Sequence, residues 1–377
     1  MTELRKPIYL DYAATTPVDP EVADLMRHYM VDEFGNAGSR THEYGTRAKQ
    51  AVQKARQQIA TIAGCQPDEV IFTSGATESN NLAILGLRKH GEETGKKHII
   101  STAIEHKAVL EPLEHLRDEC GFEVDFIRPG LSGAIEAQQV EELLREETLM
   151  VSVMHVNNET GIIQPIEEVA EILKGTETFF HVDAAQSFAK LVEPLQNPRI
   201  DMFSLSGHKI GGPKGVGALI TRRRKYRRLP LRPLSFGGGQ EFGLRPGTLP
   251  VHLLVGLAKA AELSTANYAK RTTALNEYQC HLLGQLSPFG FKAIGDAQLR
   301  IGTILCCASP NSDSEASILR FKGSCAISNG SACTSSNYSS SHVLLAMGLT
   351  GELINGAIRF SFSALGEIVE LDLPDKF

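Results

Sequence analysis

Lys209 and Asp183 open the chemistry of this chain. Lys209 closes Ser206-Gly207-His208-Lys209, just past a short apolar run, and Asp183 ends Phe179-Phe180-His181-Val182, 26 residues earlier. A lysine that forms a Schiff base and an acid that partners a pyridinium nitrogen are the two side chains that pyridoxal phosphate chemistry requires. The acid keeps the ring nitrogen protonated, so the ring can accept electrons from a substrate carbanion. A lysine after a strand is more often a surface residue, so the pair gains weight only from its surroundings.

Those surroundings supply the other parts of a cofactor site. Thr73-Ser74-Gly75-Ala76-Thr77-Glu78 runs from a strand into a helix start. Backbone N–H groups near Ala76 and Thr77, with the Thr77 hydroxyl and the helix dipole, can hold a phosphate dianion there. An ordinary capping sequence reads the same way. Ser206 and His208 stand beside Lys209 and offer further phosphate contacts. His106 starts a helix at the same edge, where an imidazole can stack on a pyridine ring and shuttle protons. Taken in isolation, a structural histidine is the commoner reading of that position. Asn158 and Gln186 follow strands and can hydrogen-bond a ring hydroxyl. Arg359 lies among apolar residues, as a buried salt-bridge partner or as a bidentate clamp for a substrate carboxylate. Cys333 sits in a Ser-rich polar stretch, unlike the buried and inert thiol that is the usual case. An accessible thiol with a nearby cation or proton acceptor gains thiolate and becomes nucleophilic.

The elements that must position these groups are read from the apolar runs. Val70–Thr73, His98–Ser101, Val124–Ile127, Leu149–Val156, Phe179–Asp183, Met202–Ser206 and Gly217–Thr221 read as strands, with helices at Glu78–Leu87, His106–Glu119 and Glu167–Leu173. Continuous apolar strands alternating with helices predict an α/β fold with a mostly parallel sheet covered on both faces. Ligands of such sheets bind beyond the carboxyl ends of the strands, where the polar clusters fall. A long helical pattern begins at Leu253–Ala269, and a smaller α+β unit follows it. The expected division is a large cofactor-binding domain over 16–260 and a small domain made of 1–15 plus 261–377.

Composition narrows the class. Of 377 residues, 42% are hydrophobic and 22% charged, and 38 basic against 44 acidic side chains give a net charge of −6. That balance argues against a dedicated nucleic-acid or membrane-surface binder. The seven cysteines are odd in number and lack a C-x-x-C spacing, so neither a disulfide framework nor a zinc ribbon is expected, and no metal site is assigned. With no apolar leader or membrane span in view, a cytoplasmic enzyme is expected. The basic run Arg222 to Arg228 is expected to be a solvated face.

Together the motifs resemble the cysteine desulfurases of the NifS/IscS type, in the aminotransferase-like group of fold-type I pyridoxal phosphate enzymes. The resemblance runs from Tyr9-Leu10-Asp11-Tyr12-Ala13-Ala14-Thr15-Thr16 through Glu105-His106-Lys107, His155-Val156-Asn157-Asn158-Glu159, His181 to Gln186 and Gly237-Gly238-Gly239-Gln240-Glu241 to Gly330-Ser331-Ala332-Cys333 and Ile358-Arg359-Phe360-Ser361. It implies pyridoxal 5'-phosphate on Lys209, with Asp183 as the pyridinium partner. It implies Ala76, Thr77, Ser206 and His208 around the phosphate, and Thr248 reaching the phosphate of a neighbouring subunit in a homodimer. Asn158 and Gln186 are implied at the ring hydroxyl, His106 as the stacking acid/base, and Asn36, Asn158 and Arg359 at the substrate. Cys333 is implied as the persulfide-forming cysteine, with L-cysteine converted to L-alanine and the sulfur passed to an acceptor protein. A selenocysteine lyase or other carbon–sulfur lyase of the same fold, and a sulfur-transfer adaptor with weak catalysis, are the alternatives.

The chain departs from the resemblance in three places. Ala37 stands where the family usually has proline, and Pro246 where it usually has serine. Only sixteen residues follow Ser361, where housekeeping relatives continue through helices that dock an iron–sulfur scaffold. The expectation is therefore a specialised acceptor, as in DNA phosphorothioation (Dnd-type) or tRNA thiolation, docking near Cys333.

Overall fold

A computed structural model describes residues 7–329, 340–365 and 371. The described strands, in chain order, are β1 (Ile8–Tyr9), β2 (Val70–Thr73), β3 (His98–Thr102), β4 (Glu123–Ile127), β5 (Thr148–Ser152), β6 (Phe179–Asp183), β7 (Met202–Ser206), β8 (Gly217–Thr221), β9 (Lys292–Ala293), β10 (Ile304–Ala308), β11 (Cys325–Ala326) and β12 (Ala357–Ser361). Seven of them form one sheet in the order β2-β8-β7-β6-β5-β3-β4. The pairs β7/β6, β6/β5, β5/β3 and β3/β4 are parallel, while β8 is antiparallel to both β7 and β2. The fold is α/β with a mostly parallel central sheet, as expected.

All strands of this sheet except β4 are buried along their whole length, which is why they read as unbroken apolar runs. The edge strand β4 is partly exposed and carries Glu123 and Asp125, charges that blunt an edge against further pairing. Helices Glu43–Ala63 and Ile166–Ile172 pack on one face and Ala76–Gly86 and Lys107–Cys120 on the other.

A second core gathers Leu10, Leu275, Leu282, Phe291, Leu305 and Phe360 around the antiparallel sheet β12-β10-β9 and the parallel pair β1-β11. The helix expected over Leu253–Ala269 is one of 36 residues, Val251–Leu286. Val251 to Ala261 pack into the large-sheet core and Tyr268 to Leu286 into the second core. The apolar stripe changes partners midway, so the sequence pattern breaks before the helix does. The boundary expected at residue 260 falls inside this helix.

The basic run is the expected solvated face only in part: Arg223, Lys225, Arg227 and Arg228 are exposed, while Arg222 and Arg224 turn inwards. Arg222 is buried and donates to the carbonyls of Ile200, Ala63 and Leu195. Arg223 and Arg228 pair with Asp68, and Arg224 with Asp201 at 2.6 Å. The chain then turns back through a mutual Arg224–Arg227 backbone bridge with Lys225 and Tyr226 at its tip, both at positive φ. Side chains drawn in to satisfy carboxylates and carbonyls from distant segments cannot be recognised from a local charge count. Among the described residues, no helix is long and apolar enough to cross a membrane.

Candidate active site

The parallel run brings the carboxyl ends of β2, β3, β5, β6 and β7 to one edge of the sheet. A cavity of about 440 Å³ opens there. Ala76, Thr77, His106, Asn158, Asp183, Gln186, Ser206, His208 and Lys209, nine of the residues expected at the site, line it together.

Each is held by local structure. Helix Ala76–Gly86 starts at Gly75 without a side-chain cap, so its first-turn N–H groups face the cavity beside Ser206 and His208. A Cβ on Gly217 would lie 2.6 Å from the Gly75 Cα, so glycine there lets the Ser74–Thr77 turn close on the sheet. Asp183 Oδ2 accepts from Asn80 Nδ2 at 2.8 Å and Oδ1 from the Ala185 N–H at 2.9 Å. Both contacts fix the carboxylate plane. Gln186 donates to the Ala13 carbonyl at 2.9 Å, and its buried Oε1 has no hydrogen-bond partner among the described residues. Lys209 Nζ donates to the carbonyls of Ala13 and Ala14 at 2.6 and 2.7 Å.

Two histidines are tuned in the same direction. His106 caps helix Lys107–Cys120, its Nδ1 accepting the Ala108 N–H at 3.0 Å. Burial holds it below the ordinary histidine range, with the Asp183 carboxylate pulling it up and the Lys209 cation pulling it down. A neutral ring whose Nδ1 lone pair is used by the cap carries its proton on Nε2. Burial, with the cations of Lys209 and Lys214, lowers His208 to about 4. Glu105, fully buried beside this cluster, is pushed up to about 8 by burial, against hydrogen bonds from the Met154 N–H and the Thr102 hydroxyl.

Three expected residues are placed elsewhere. Asn36 and Thr248 share a smaller cavity of about 220 Å³ with Arg56 and Glu241. Arg359 is fully buried behind the cleft wall, its Nη1 on the Asn158 carbonyl at 2.8 Å and its Nη2 on Asp11 Oδ1 at 2.6 Å. Cys333 lies outside the described residues. Of the other cysteines, Cys65, Cys306 and Cys325 are pushed up to about 12 by burial and Cys307 well above its ordinary value, while Cys120 and Cys280 do not line the cavity.

Sequence reasoning missed Asn80, Lys214 and the carbonyls of Ala13 and Ala14. Asn80 was legible only as one polar residue in a helix. A backbone carbonyl has no signature in a sequence at all.

The aminotransferase class-V family model matches residues 8–373. The chain belongs to this family. Within it, the chain is 44% identical over 370 residues to a mitochondrial cysteine desulfurase of Drosophila melanogaster, covering 97% of this chain and 79% of the relative. The crystal structure of DndA from Streptomyces lividans is similar with a TM-score of 0.83 and 52% identity, covering 94% of this chain and 99% of that one. A structure of SspA in complex with cysteine is similar with a TM-score of 0.81 and 38% identity, covering 95% and 99%. Cysteine desulfurases of this family are pyridoxal phosphate-dependent enzymes.

Proposed function

We propose that the chain is a cysteine desulfurase that converts L-cysteine to L-alanine and passes the sulfur through Cys333. The observation that carries the reading is the convergence of Lys209, Asp183, His106 and the Ser74–Thr77 turn on one cavity.

The cleft fits pyridoxal phosphate by its own chemistry. Gln186 Oε1 is a buried acceptor awaiting a donor such as the ring hydroxyl, with Asn158 beside it. The uncapped helix start, Thr77, Ser206 and His208 form a phosphate cradle, and Asp183 is oriented to receive a pyridinium N–H. Bound to Lys209, the cofactor supplies an electron sink for the substrate carbon. Thr248, in its separate cavity, completes the cradle of a second subunit in a homodimer.

The rest is done by side chains of the chain. Lys209, released from the Ala13 and Ala14 carbonyls, accepts and returns a proton at the substrate carbon. His106 donates from Nε2, the nitrogen its helix cap leaves available, and its depressed pKa keeps the cap intact at neutral pH. Arg359 takes the substrate carboxylate. The Cys333 thiolate attacks the substrate sulfur. An S–S bond forms, the C–S bond breaks with its electron pair left on carbon, and protonation of that carbon gives alanine. The Cys333 persulfide then goes to an acceptor.

A small sulfur-carrying domain, residues 1–15 plus 261–377, and a cytoplasmic setting belong to the same reading. The 52% identity with DndA supports a specialised acceptor, in DNA phosphorothioation or a related thiolation, over an iron–sulfur scaffold. Arg222 and Arg224 are engaged internally, so within the 222–228 segment only the exposed Arg223, Lys225, Arg227 and Arg228 can contribute to an acceptor surface.

The test is Cys333→Ser in cofactor-loaded protein. L-cysteine should still change the cofactor's absorbance, while alanine release and persulfide on the chain are lost. Normal alanine release, or persulfide found by mass spectrometry mainly on Cys325 or Cys65, would refute the assignment. Transfer of labelled sulfur to a thiolation partner against an iron–sulfur scaffold decides the acceptor.

A further inference from the structure

Arg359 already holds a carboxylate. Its Nη2 meets Asp11 Oδ1 at 2.6 Å and its Nη1 meets the Asn158 carbonyl at 2.8 Å. The arginine side chain has no exposed surface, whereas Asp11 keeps 22% of its side chain exposed. Asn158 itself lines the cleft, so the guanidinium stands one residue behind the cleft wall.

We propose that Asp11 is an internal rival for the substrate's carboxylate, a specificity-determining residue that an α-carboxylate must displace from Arg359. The inference rests on the reading above that Arg359 receives that carboxylate. Asp11 and the Asn158 carbonyl both hold the guanidinium, and they differ in how readily they leave. The Asn158 carbonyl is fixed by its backbone. The Asp11 carboxylate reaches solvent and can rehydrate when released. Exchanging one carboxylate for another never leaves the buried guanidinium unpaired, a state that burial makes costly.

The exchange also explains what the rival would do. A ligand with a carboxylate replaces Asp11 like for like. A ligand without one gains nothing at Arg359 and leaves the internal pair in place. The pair therefore scales down the apparent affinity for every amino acid to the fraction of molecules in which Arg359 is free of Asp11. Selection against amines lacking a carboxylate still comes from Arg359. The segment after Asp11 is anchored independently, Ala13 N–H to Ser361 Oγ at 2.8 Å and Thr16 N–H to the His208 carbonyl at 2.8 Å. Asp11 can thus let go without unseating the strand that precedes Lys209's carbonyl partners.

The experiment compares L-alanine with ethylamine, the same amine without its carboxylate, on cofactor-loaded protein. Dissociation constants are read from the cofactor's absorbance. In Asp11→Asn, L-alanine should bind at least about threefold tighter and ethylamine unchanged, because only the rival has been removed. Asp11→Ser should show the same tightening, so a folding defect in one variant does not decide the matter. A side chain that merely positions Arg359 would instead weaken L-alanine binding on substitution. Unchanged or weaker L-alanine binding in both variants overturns the proposal. Arg359→Gln tests the underlying reading separately. If its preference for L-alanine over ethylamine equals that of the unaltered protein, Arg359 is not the carboxylate site, whatever Asp11 does.

Discussion

The two ends of the β7–β8 pair carry cations of opposite fate. At the carboxyl end of β7, Lys209 rests on two backbone carbonyls in an open cleft. Beyond the carboxyl end of the antiparallel β8, at the opposite edge of the sheet, Arg222, Arg223, Arg224 and Arg228 are committed to Asp68, Asp201 and buried carbonyls. Both regions are basic in sequence. What separates them is the partner. A neutral carbonyl holds an amine without neutralising it and lets it go, whereas a carboxylate or a set of three carbonyls holds a guanidinium as a structural tie.

This contrast can be broken most sharply at Lys209. Lys209→Ala should cut alanine formation by at least about a thousandfold and remove the covalent cofactor link, measured by turnover and by borohydride-resistant absorbance. Retained turnover would make the two ends equivalent and sink the cofactor reading. His106→Gln, which keeps a polar group but loses the titratable ring, should slow alanine formation by about a hundredfold while the cofactor still binds. At the other end, Arg222→Ala should leave kcat and KM for L-cysteine unchanged and lower unfolding stability in urea by about 2–4 kcal/mol, since three buried carbonyls lose their donors. A change in KM with no loss of stability would move that arginine to the functional side.

The next difference is in pH. His208 sits at about 4 in the folded chain, below the unfolded value of about 6.5. Between those values the unfolded chain binds more protons, so the stability of the cofactor-free protein should fall as pH drops from about 6.5 to about 4. His208→Asn should flatten part of that fall in urea titrations, the remainder including His106 and His90, both lowered by burial, and buried His155 and His181, each near 3. The arginine end, which does not titrate in this range, should leave the slope untouched. The smallest effect is expected at the hairpin tip, where Tyr226 is 96% exposed and Tyr226→Ser should shift stability by no more than about 0.5 kcal/mol.

The same contrast shows what a sequence discloses. The strands were legible because burial on both faces leaves apolar runs, and the ends of those runs mark the cleft. Asp183, Ser206 and Lys209 could therefore be found from their position alone. The fate of Arg222 to Arg228 could not, because Asp68 lies more than 150 residues before them and Ala63 further still. Lys209's partners were hidden for a different reason, being main-chain oxygens of two alanines. The sequence around Arg359 fits either a buried ion-pair member or a carboxylate clamp, and its place behind Asn158 explains why the residue type alone allows both.

The helix Val251–Leu286 has one more consequence. At about 1.5 Å per residue it is a rod of about 54 Å whose first third is embedded in one core and whose last half is embedded in the other. Two cores that share a beam cannot melt independently, because freeing either one strips the beam of half its lateral support. Heating the protein should therefore give a single calorimetric transition whose van't Hoff and calorimetric enthalpies agree, as if the chain were one cooperative block.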